Sequence, residues 1–217
     1  MKKAFKFMVA GMFLFTMACN QSPKSTQTES VKSEKSMETL AGDGITACPH
    51  QSKIFWKGSK PGGEHNGFIK LKEGQYKVED GKLVGGEFII DITSIVNIDL
   101  EDEAMNAKLV GHLKSADFFN VDSFLEGKFI ITEVFELDGG EYTHEITGDL
   151  TLKSITHPVK FKANVKVNEG VVSATSEEYV LNRTLWNVNY GSKSIFKELK
   201  DKFIDDEFTL KLDMHSM

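Results

Sequence analysis

Alternating apolar and polar residues recur along most of the chain beyond residue 46. In residues 157–167, Val159, Phe161 and Ala163 fall on one face, whereas lysines occupy the other face. Residues 208–214 keep the same period of two, with Leu210 and Met214 on the apolar face. Such alternation is typical of β-strands that bury one face and expose the other. The same pattern predicts further strands near residues 52–58, 66–79, 82–92, 127–136, 142–152 and 170–181.

Turn residues separate several of these predicted strands. The strings Glu-Asp-Gly at 79–81, Asp-Gly-Gly at 138–140 and Asn-Glu-Gly at 168–170 favour short hairpin connections. Short connections indicate an antiparallel meander, and about eight strands hide their edges best by closing into a barrel. Gly85-Gly86 inside a strand pattern predicts a bend or bulge at a barrel corner. The sequence therefore predicts an all-β fold, an eight-stranded antiparallel barrel with one or two short inserted helices.

Two segments interrupt the β pattern. Residues 102–115 contain Ala104, Met105, Ala107 and Leu109 with few β-branched residues, which favours a helix. A second, shorter helical turn is predicted at residues 194–199. These helices either cap one mouth of the barrel or form surface connections without a gating role.

The first 45 residues predict export and anchoring. Lysines followed by a short apolar run in residues 1–18 are typical of a secretory signal peptide. Residues 15–19 resemble a lipobox that ends at Cys19, the expected lipidation site, although Thr16 replaces the usual leucine. Residues 19–45 are polar and predict a flexible tether, so that residues 46–217 form the folded domain. The expected location is the cell envelope, as a periplasmic or surface-exposed lipoprotein, and secretion after cleavage near Ala18 is the alternative.

The net charge of the chain limits the kinds of partner that it is expected to bind. The formal net charge is −6, and removal of the three lysines of the signal peptide takes it to −9. A chain this acidic lacks the basic surface that nucleic acids or anionic headgroups attract, so no nucleic-acid partner is expected. Arg183 is the only arginine among 26 basic residues. Because a guanidinium binds two acceptors at once and stays charged when buried, Arg183 is either a structural clamp or a ligand contact.

Catalytic patterns are not found in the sequence. The HExxH, GxSxG and P-loop motifs are absent, and no paired cysteines suggest a metal box. His65 and His112 sit beside glycines and favour hydrogen bonding at a barrel end. Asp91 and Asp99 suit turn or cap positions better than an acid pair. No enzyme activity, metal or cofactor is predicted.

Several ordered strings together resemble the YceI-like lipid-binding family. They are FWKG at 55–58, GEHNG at 63–67, GEFIID at 86–91, GHLKSADFF at 111–119, ITGDLTLK at 146–153 and NRT at 182–184, with Trp186 and Tyr190-Gly191 behind them. Each string is unspecific, but their order spans residues 50–214. Ser154 and Asn187 depart from the resemblance, since glycine is common at both positions.

The resemblance implies a barrel of lipocalin-like architecture with a long apolar lumen that binds a polyisoprenoid, a quinone or a fatty-acyl lipid without catalysis. In place of a cofactor, it implies a bound isoprenoid-type lipid. The membrane would then be a partner through Cys19, and a homodimer is left open. A structural or interaction lipoprotein with a packed barrel is the alternative. Arg183 and Tyr190 would meet a polar head at one mouth, or would brace the barrel together with Trp186. The candidate ligand-binding residues are Phe68, Phe88, Ile90, Phe129, Ile131, Tyr142, Phe161, Arg183, Trp186, Tyr190 and Phe208.

Overall fold

Ten antiparallel strands and one α-helix make up the part of the chain that the structure, a computed structural model, describes, which is residues 44–217. The strands are β1 (Ile45–Thr46), β2 (Lys53–Lys60), β3 (Gly63–Glu79), β4 (Lys82–Asn97), β5 (Glu126–Glu136), β6 (His144–Leu152), β7 (Ile155–Asn168), β8 (Val171–Ser176), β9 (Tyr179–Asn182) and β10 (Glu207–His215). The helix α1 (Glu103–Lys114) lies between β4 and β5.

Eight of the strands close into a barrel. Each strand from β2 to β7 pairs with the strand that follows it in the chain. Strand β8 then pairs with β10, and β10 pairs with β2, so the sheet returns to its start. The two extra strands lie on this frame: β1 adds to β3, and β9 adds to β10. The predicted all-β, lipocalin-like barrel is confirmed, and the single run expected near 170–181 divides into β8 and β9.

The hairpin turns explain why the meander is tight. Asp80 and Gly81 both have positive φ between β3 and β4, and Glu169 and Gly170 repeat this conformation between β7 and β8. Positive φ at both central residues is the turn geometry that matches the twist of paired strands. Near the first of these turns, the β3–β4 register slips between Lys77 and Val78, which is the irregularity expected beside the glycine pair of β4.

The helix begins where the sequence predicts it. Asp102 is its N-cap, and the carboxylate of this residue accepts a hydrogen bond from the Met105 N–H at 2.8 Å. This bond satisfies one of the otherwise free N–H groups of the first turn. The second predicted helical turn is shorter than expected, a 3-10 turn at Lys197–Leu199, and another 3-10 turn spans Arg183–Trp186.

The two ends of the barrel differ. The β2–β3 turn, with Lys60 opposite Gly63, lies at what we call the mouth end. Strand β1 joins β3 near the opposite, far end, where Ile45 lies beside Tyr76 and the Met217 N–H bonds to Thr46 O. The predicted signal peptide, Cys19 and nearly all of the tether lie outside the described residues.

Within residues 44–217, no helix combines the length and the hydrophobicity that crossing a bilayer requires.

Candidate functional site

The interior of the barrel contains two apolar cavities. The outer chamber, at the mouth end, has a volume of about 240 Å³, and the inner chamber has about 70 Å³. Apolar cavities of about 150 Å³ stay dry in proteins and accept small hydrocarbons. The barrel is therefore not packed solid by its own side chains.

Four aliphatic side chains line both chambers, and we call them the waist. They are Ile54, Ile90, Leu150 and Leu210. Each of the four is buried and each comes from a different strand, namely β2, β4, β6 and β10. The chambers therefore adjoin at a ring of side chains that can rotate, rather than at a wall of backbone.

Aromatic rings surround the inner chamber. The Phe88 ring meets Tyr76 edge to face at 5.0 Å, and Phe161 stacks on Tyr179 at 4.7 Å between ring centroids. Burial raises the pKa of both tyrosines, so their phenols stay neutral donors at any physiological pH. The Tyr76 hydroxyl is buried and has no hydrogen-bond partner in the described structure.

A glycine makes room for a further ring of the inner chamber, that of Phe129. Gly148 is buried on β6, and a Cβ at this position would overlap the ring of Phe129 and approach the Ile130 carbonyl oxygen at 2.6 Å. Only a residue without a side chain leaves space on β6 for the Phe129 ring.

Polar side chains gather at the open side of the outer chamber. Its lining includes Lys57, Lys60, His65, Asp205 and Glu207 beside a largely aliphatic and aromatic wall. From α1, Leu109, His112 and Leu113 also line this chamber, so the helix caps the mouth end as one of the two alternatives expected. An amphiphile would find apolar surface inside and charged groups at the rim.

His65 is held by an acidic partner. The Asp99 carboxylate lies 2.8 Å from His65 Nδ1 and accepts a hydrogen bond from the Asn66 N–H at 2.7 Å. Burial raises the pKa of Asp99, but the bonds from Asn66, His65 and Asn97 outweigh it and hold the pKa below its ordinary value. This arrangement matches the hydrogen-bonding role expected for His65 at a barrel end.

This network predicts a pH effect. A lowered folded-state pKa adds stability above the unfolded-state value of about 4, and this stability is lost as the pH falls through the folded-state pKa. We therefore expect Asp99→Asn to lower the urea midpoint more at pH 7 than at pH 3. Asp117→Asn is the matched control, because the Asp117 carboxylate is exposed and also lies beside a histidine, His112. A deficit of equal size at both pH values would contradict the prediction.

Arg183 occupies the position of a clamp. Its guanidinium is 6% exposed and donates to three backbone carbonyls, those of Val188 at 2.6 Å, Ile204 at 3.0 Å and Asp205 at 3.0 Å. An ion pair with Asp206 at 3.7 Å adds to these bonds. Burial lowers the pKa of Arg183, whereas the charges of Asp206 and Asp205 oppose this shift. Arg183 thus links the segment after the 3-10 turn to the residues just before β10.

The neighbours of Arg183 continue this bracing. The guanidinium carbon lies 5.5 Å from the Phe118 ring centroid, and the Tyr190 ring lies 5.9 Å from the same ring. Trp186 is 1% exposed and donates its indole N–H to Leu150 O at 2.9 Å. Arg183 and Trp186 still present part of their surface to the outer chamber, so a ligand contact at either one stays a prediction.

The structure places eight of the predicted ligand-binding residues on a chamber wall and three elsewhere. The eight are Phe88, Ile90, Phe129, Ile131 and Phe161 at the inner chamber, and Ile90 again with Arg183, Trp186 and Phe208 at the outer chamber. The other three line neither chamber. Phe68 lies in a 6.4 Å pair with Phe55, under Lys53, and lines neither chamber. Tyr142 precedes β6, and Tyr190 is 45% exposed.

Several lining residues were missed by the sequence reasoning. Ile54, Leu150, Tyr76 and Tyr179 line a chamber but were not among the candidates. Their signal was present, because each shares the inward parity of its strand, but parity does not distinguish a lumen wall from a solid core. Among residues 44–217, no group of three or more potential ligands is placed to hold a metal ion.

Comparisons with known proteins agree with this architecture. The family described as the YceI-like domain matches residues 46–216. A UPF0312 protein of Pseudomonas putida (strain W619) is 41% identical over 73 residues, which is 32% of this chain and 37% of that protein. A UPF0312 protein of Pseudomonas fluorescens (strain SBW25) is 38% identical over 74 residues. The chain thus spans little more than a third of the length of these curated relatives.

Two solved structures share the fold. Burkholderia cenocepacia BcnA superposes with a TM-score of 0.60 at 20% identity, over 79% of this chain and 99% of that one. A polyisoprenoid-binding domain from Saccharophagus degradans, implicated in plant cell wall breakdown, superposes with a TM-score of 0.57 at 10% identity, over 79% and 97%. The matched family domain covers almost every strand of the barrel, and the chain therefore belongs to the YceI-like family.

Proposed function

We propose that this chain binds a long-chain amphiphile inside its barrel and catalyses no reaction. The observation that carries the proposal is the pair of adjoining apolar chambers of about 240 and 70 Å³ within a closed barrel. A polyisoprenoid, a quinone or a fatty-acyl lipid fits this description. The polyisoprenoid-binding domain of Saccharophagus degradans, which shares the fold, supports the first of these ligand classes.

The energetics favour a hydrocarbon tail. Each buried methylene contributes about 0.8 kcal/mol before ordering costs, so a tail that fills the outer chamber gains affinity without polar contacts. The indole N–H of Trp56 and the hydroxyl of Tyr76 are buried without a hydrogen-bond partner, one at each chamber. An oxygen atom on the ligand would satisfy either donor, which supports an amphiphile over a pure hydrocarbon.

The experiment is organic extraction of the purified protein followed by mass spectrometry. We expect one long-chain lipid per chain, and we expect an added lipid to be recovered with its mass unchanged. Clean protein that also refuses added lipid would instead support the alternative of a structural or interaction lipoprotein. A recovered lipid of altered mass would contradict the absence of catalysis.

We further propose that the chain is a lipoprotein of the cell envelope, anchored through Cys19. The support is the sequence of residues 1–19, with basic residues, a short apolar run and a small residue before the cysteine. Several acyl chains would hold the protein stably on a bilayer. The mass of the N-terminal peptide of the mature protein tests this proposal, and an unmodified Cys19 or a different first residue would contradict it.

A further inference from the structure

A lysine-rich loop stands at the mouth end of the barrel, and we call residues 192–203 the lysine loop. It contains four lysines and two acidic residues, which gives it a net charge of +2, whereas the whole chain has −6. All four lysines are exposed: Lys193, Lys197, Lys200 and Lys202. The lysine loop itself is therefore cationic, although Asp205, Asp206 and Glu207 follow shortly after it in the chain.

Two consecutive apolar side chains project from the lysine loop. Ile195 and Phe196 are 45% and 46% exposed, and Lys193 and Lys197 stand on either side of them in the sequence. Single exposed apolar residues are ordinary on a protein surface, but an adjacent isoleucine and phenylalanine between lysines is typical of segments that enter a membrane interface. The preceding Tyr190 is also 45% exposed.

The base of the lysine loop is fixed to the rim of the outer chamber. Its two ends are joined where the Ile204 N–H donates to Gly191 O at 2.8 Å, and Arg183 holds Ile204 O. Ile204 and Asp205 themselves line the outer chamber, and the Asp205 N–H donates to Ser59 O on β2 at 2.9 Å. Whatever the lysine loop contacts is therefore brought next to the opening of the lumen.

We propose that the lysine loop docks onto a lipid bilayer with anionic headgroups. Ile195 and Phe196 enter the interface, the lysines contact phosphates, and the mouth of the outer chamber faces the membrane. An acidic protein would also attract the lysines. A bilayer is the better match, because it requires no shaped groove around the apolar pair, only exposed apolar residues with lysines nearby in the chain. Asp205 and Glu207 at the rim oppose the attraction, so docking depends on the full set of lysines.

The test places a tryptophan at the tip. In a full chain that carries Cys19→Ser and so lacks acyl chains, Phe196→Trp is mixed with vesicles of phosphatidylglycerol and brominated phosphatidylcholine. We expect quenching of the new tryptophan by the bromine atoms. Val171→Trp, an exposed position at the far end of the barrel, is the matched control and is expected to show none.

The lysines are tested separately. Lys197→Gln with Lys200→Gln is expected to weaken binding to these vesicles by at least about tenfold, since each lysine near an anionic surface contributes about fivefold. Lys162→Gln with Lys166→Gln, on the exposed face of β7, is expected to leave binding unchanged. Equal binding to vesicles of phosphatidylcholine alone would overturn the proposal. Binding to polyglutamate without quenching at position 196 would overturn it in favour of an acidic protein partner.

Discussion

Arg183→Met is expected to lower the free energy of unfolding by about 3–5 kcal/mol, the usual cost of removing one member of a buried charged network. The substitution keeps much of the apolar volume but removes the donors to Val188 O, Ile204 O and Asp205 O. It also leaves Asp206 beside a site that has lost its cation. Urea denaturation with an unchanged m-value measures the effect, because a shift of the midpoint alone reports stability.

The conservative variant separates the two roles of this residue. Arg183→Lys keeps the charge, but its three donors share a single nitrogen and cannot reach carbonyls that Nε, Nη1 and Nη2 bind separately. We therefore expect a loss of about 2 kcal/mol. If Arg183 is a clamp, the variant changes stability without changing which lipid headgroup is preferred. A stable variant with altered headgroup preference would show a ligand contact instead. Lys166→Met, at an exposed position of β7, is the control for removal of a positive charge.

Phe88→Trp is expected to shorten the longest ligand that the protein accepts. Phe88 lines only the inner chamber, whose volume is about 70 Å³. The larger indole ring there displaces at least one methylene of a ligand that reaches this chamber. Each methylene lost from the chamber costs about 0.8 kcal/mol, or roughly fourfold in Kd. A series of fatty acids of increasing length, titrated by displacement of a fluorescent probe, measures where the affinity stops rising.

Two further variants make this result specific. Phe68→Trp makes the same change outside the lumen, where Phe68 contacts Phe55, and should leave the length limit unchanged. Leu210→Ala opens the waist and should favour longer ligands, although truncation of a buried leucine also costs about 2–5 kcal/mol of stability. An identical length limit in Phe88→Trp, Leu210→Ala and the unaltered chain would exclude a continuous tunnel.

The strands and their inward faces follow from the sequence because burial imposes a period of two. Val159, Phe161 and Ala163 face the interior as predicted, and two positive-φ hairpin turns, at 80–81 and 169–170, lie where glycine follows an acidic residue. Helix α1 is equally predictable from its residues and from the acidic cap at Asp102. These features depend on neighbours in the chain, which is the information that a sequence pattern carries.

Phe68 shows where a pattern becomes ambiguous. Phe68 and Ile69 are both apolar, so alternation does not say which of them points inward. The pairing decides it, because Phe68 lies opposite Phe55 and the two rings share the outer face, while Ile69 is buried. Tyr142 has the correct parity for β6, but the strand begins only at His144. Side chains beyond a strand end do not inherit its orientation.

The contacts of Arg183 and the waist depend on residues distant in the chain. Arg183 is bound by backbone carbonyls at positions 188, 204 and 205, and any sequence offers such carbonyls everywhere. Likewise, the inward parity of Leu150 and Leu210 identifies interior residues but not the space left between them. Volume is a property of the closed barrel, and it becomes visible only when opposite strands are in place.

The attachment of β1 at the far end gives the barrel a direction. Strand β3 runs roughly 55 Å from the mouth end to this far end, and the Met217 N–H bonds to Thr46 O on β1. A fluorophore attached at position 217 would therefore sit far from the lysine loop and leave the opening of the lumen free. Such a label would report the entry of a ligand without competing for the site.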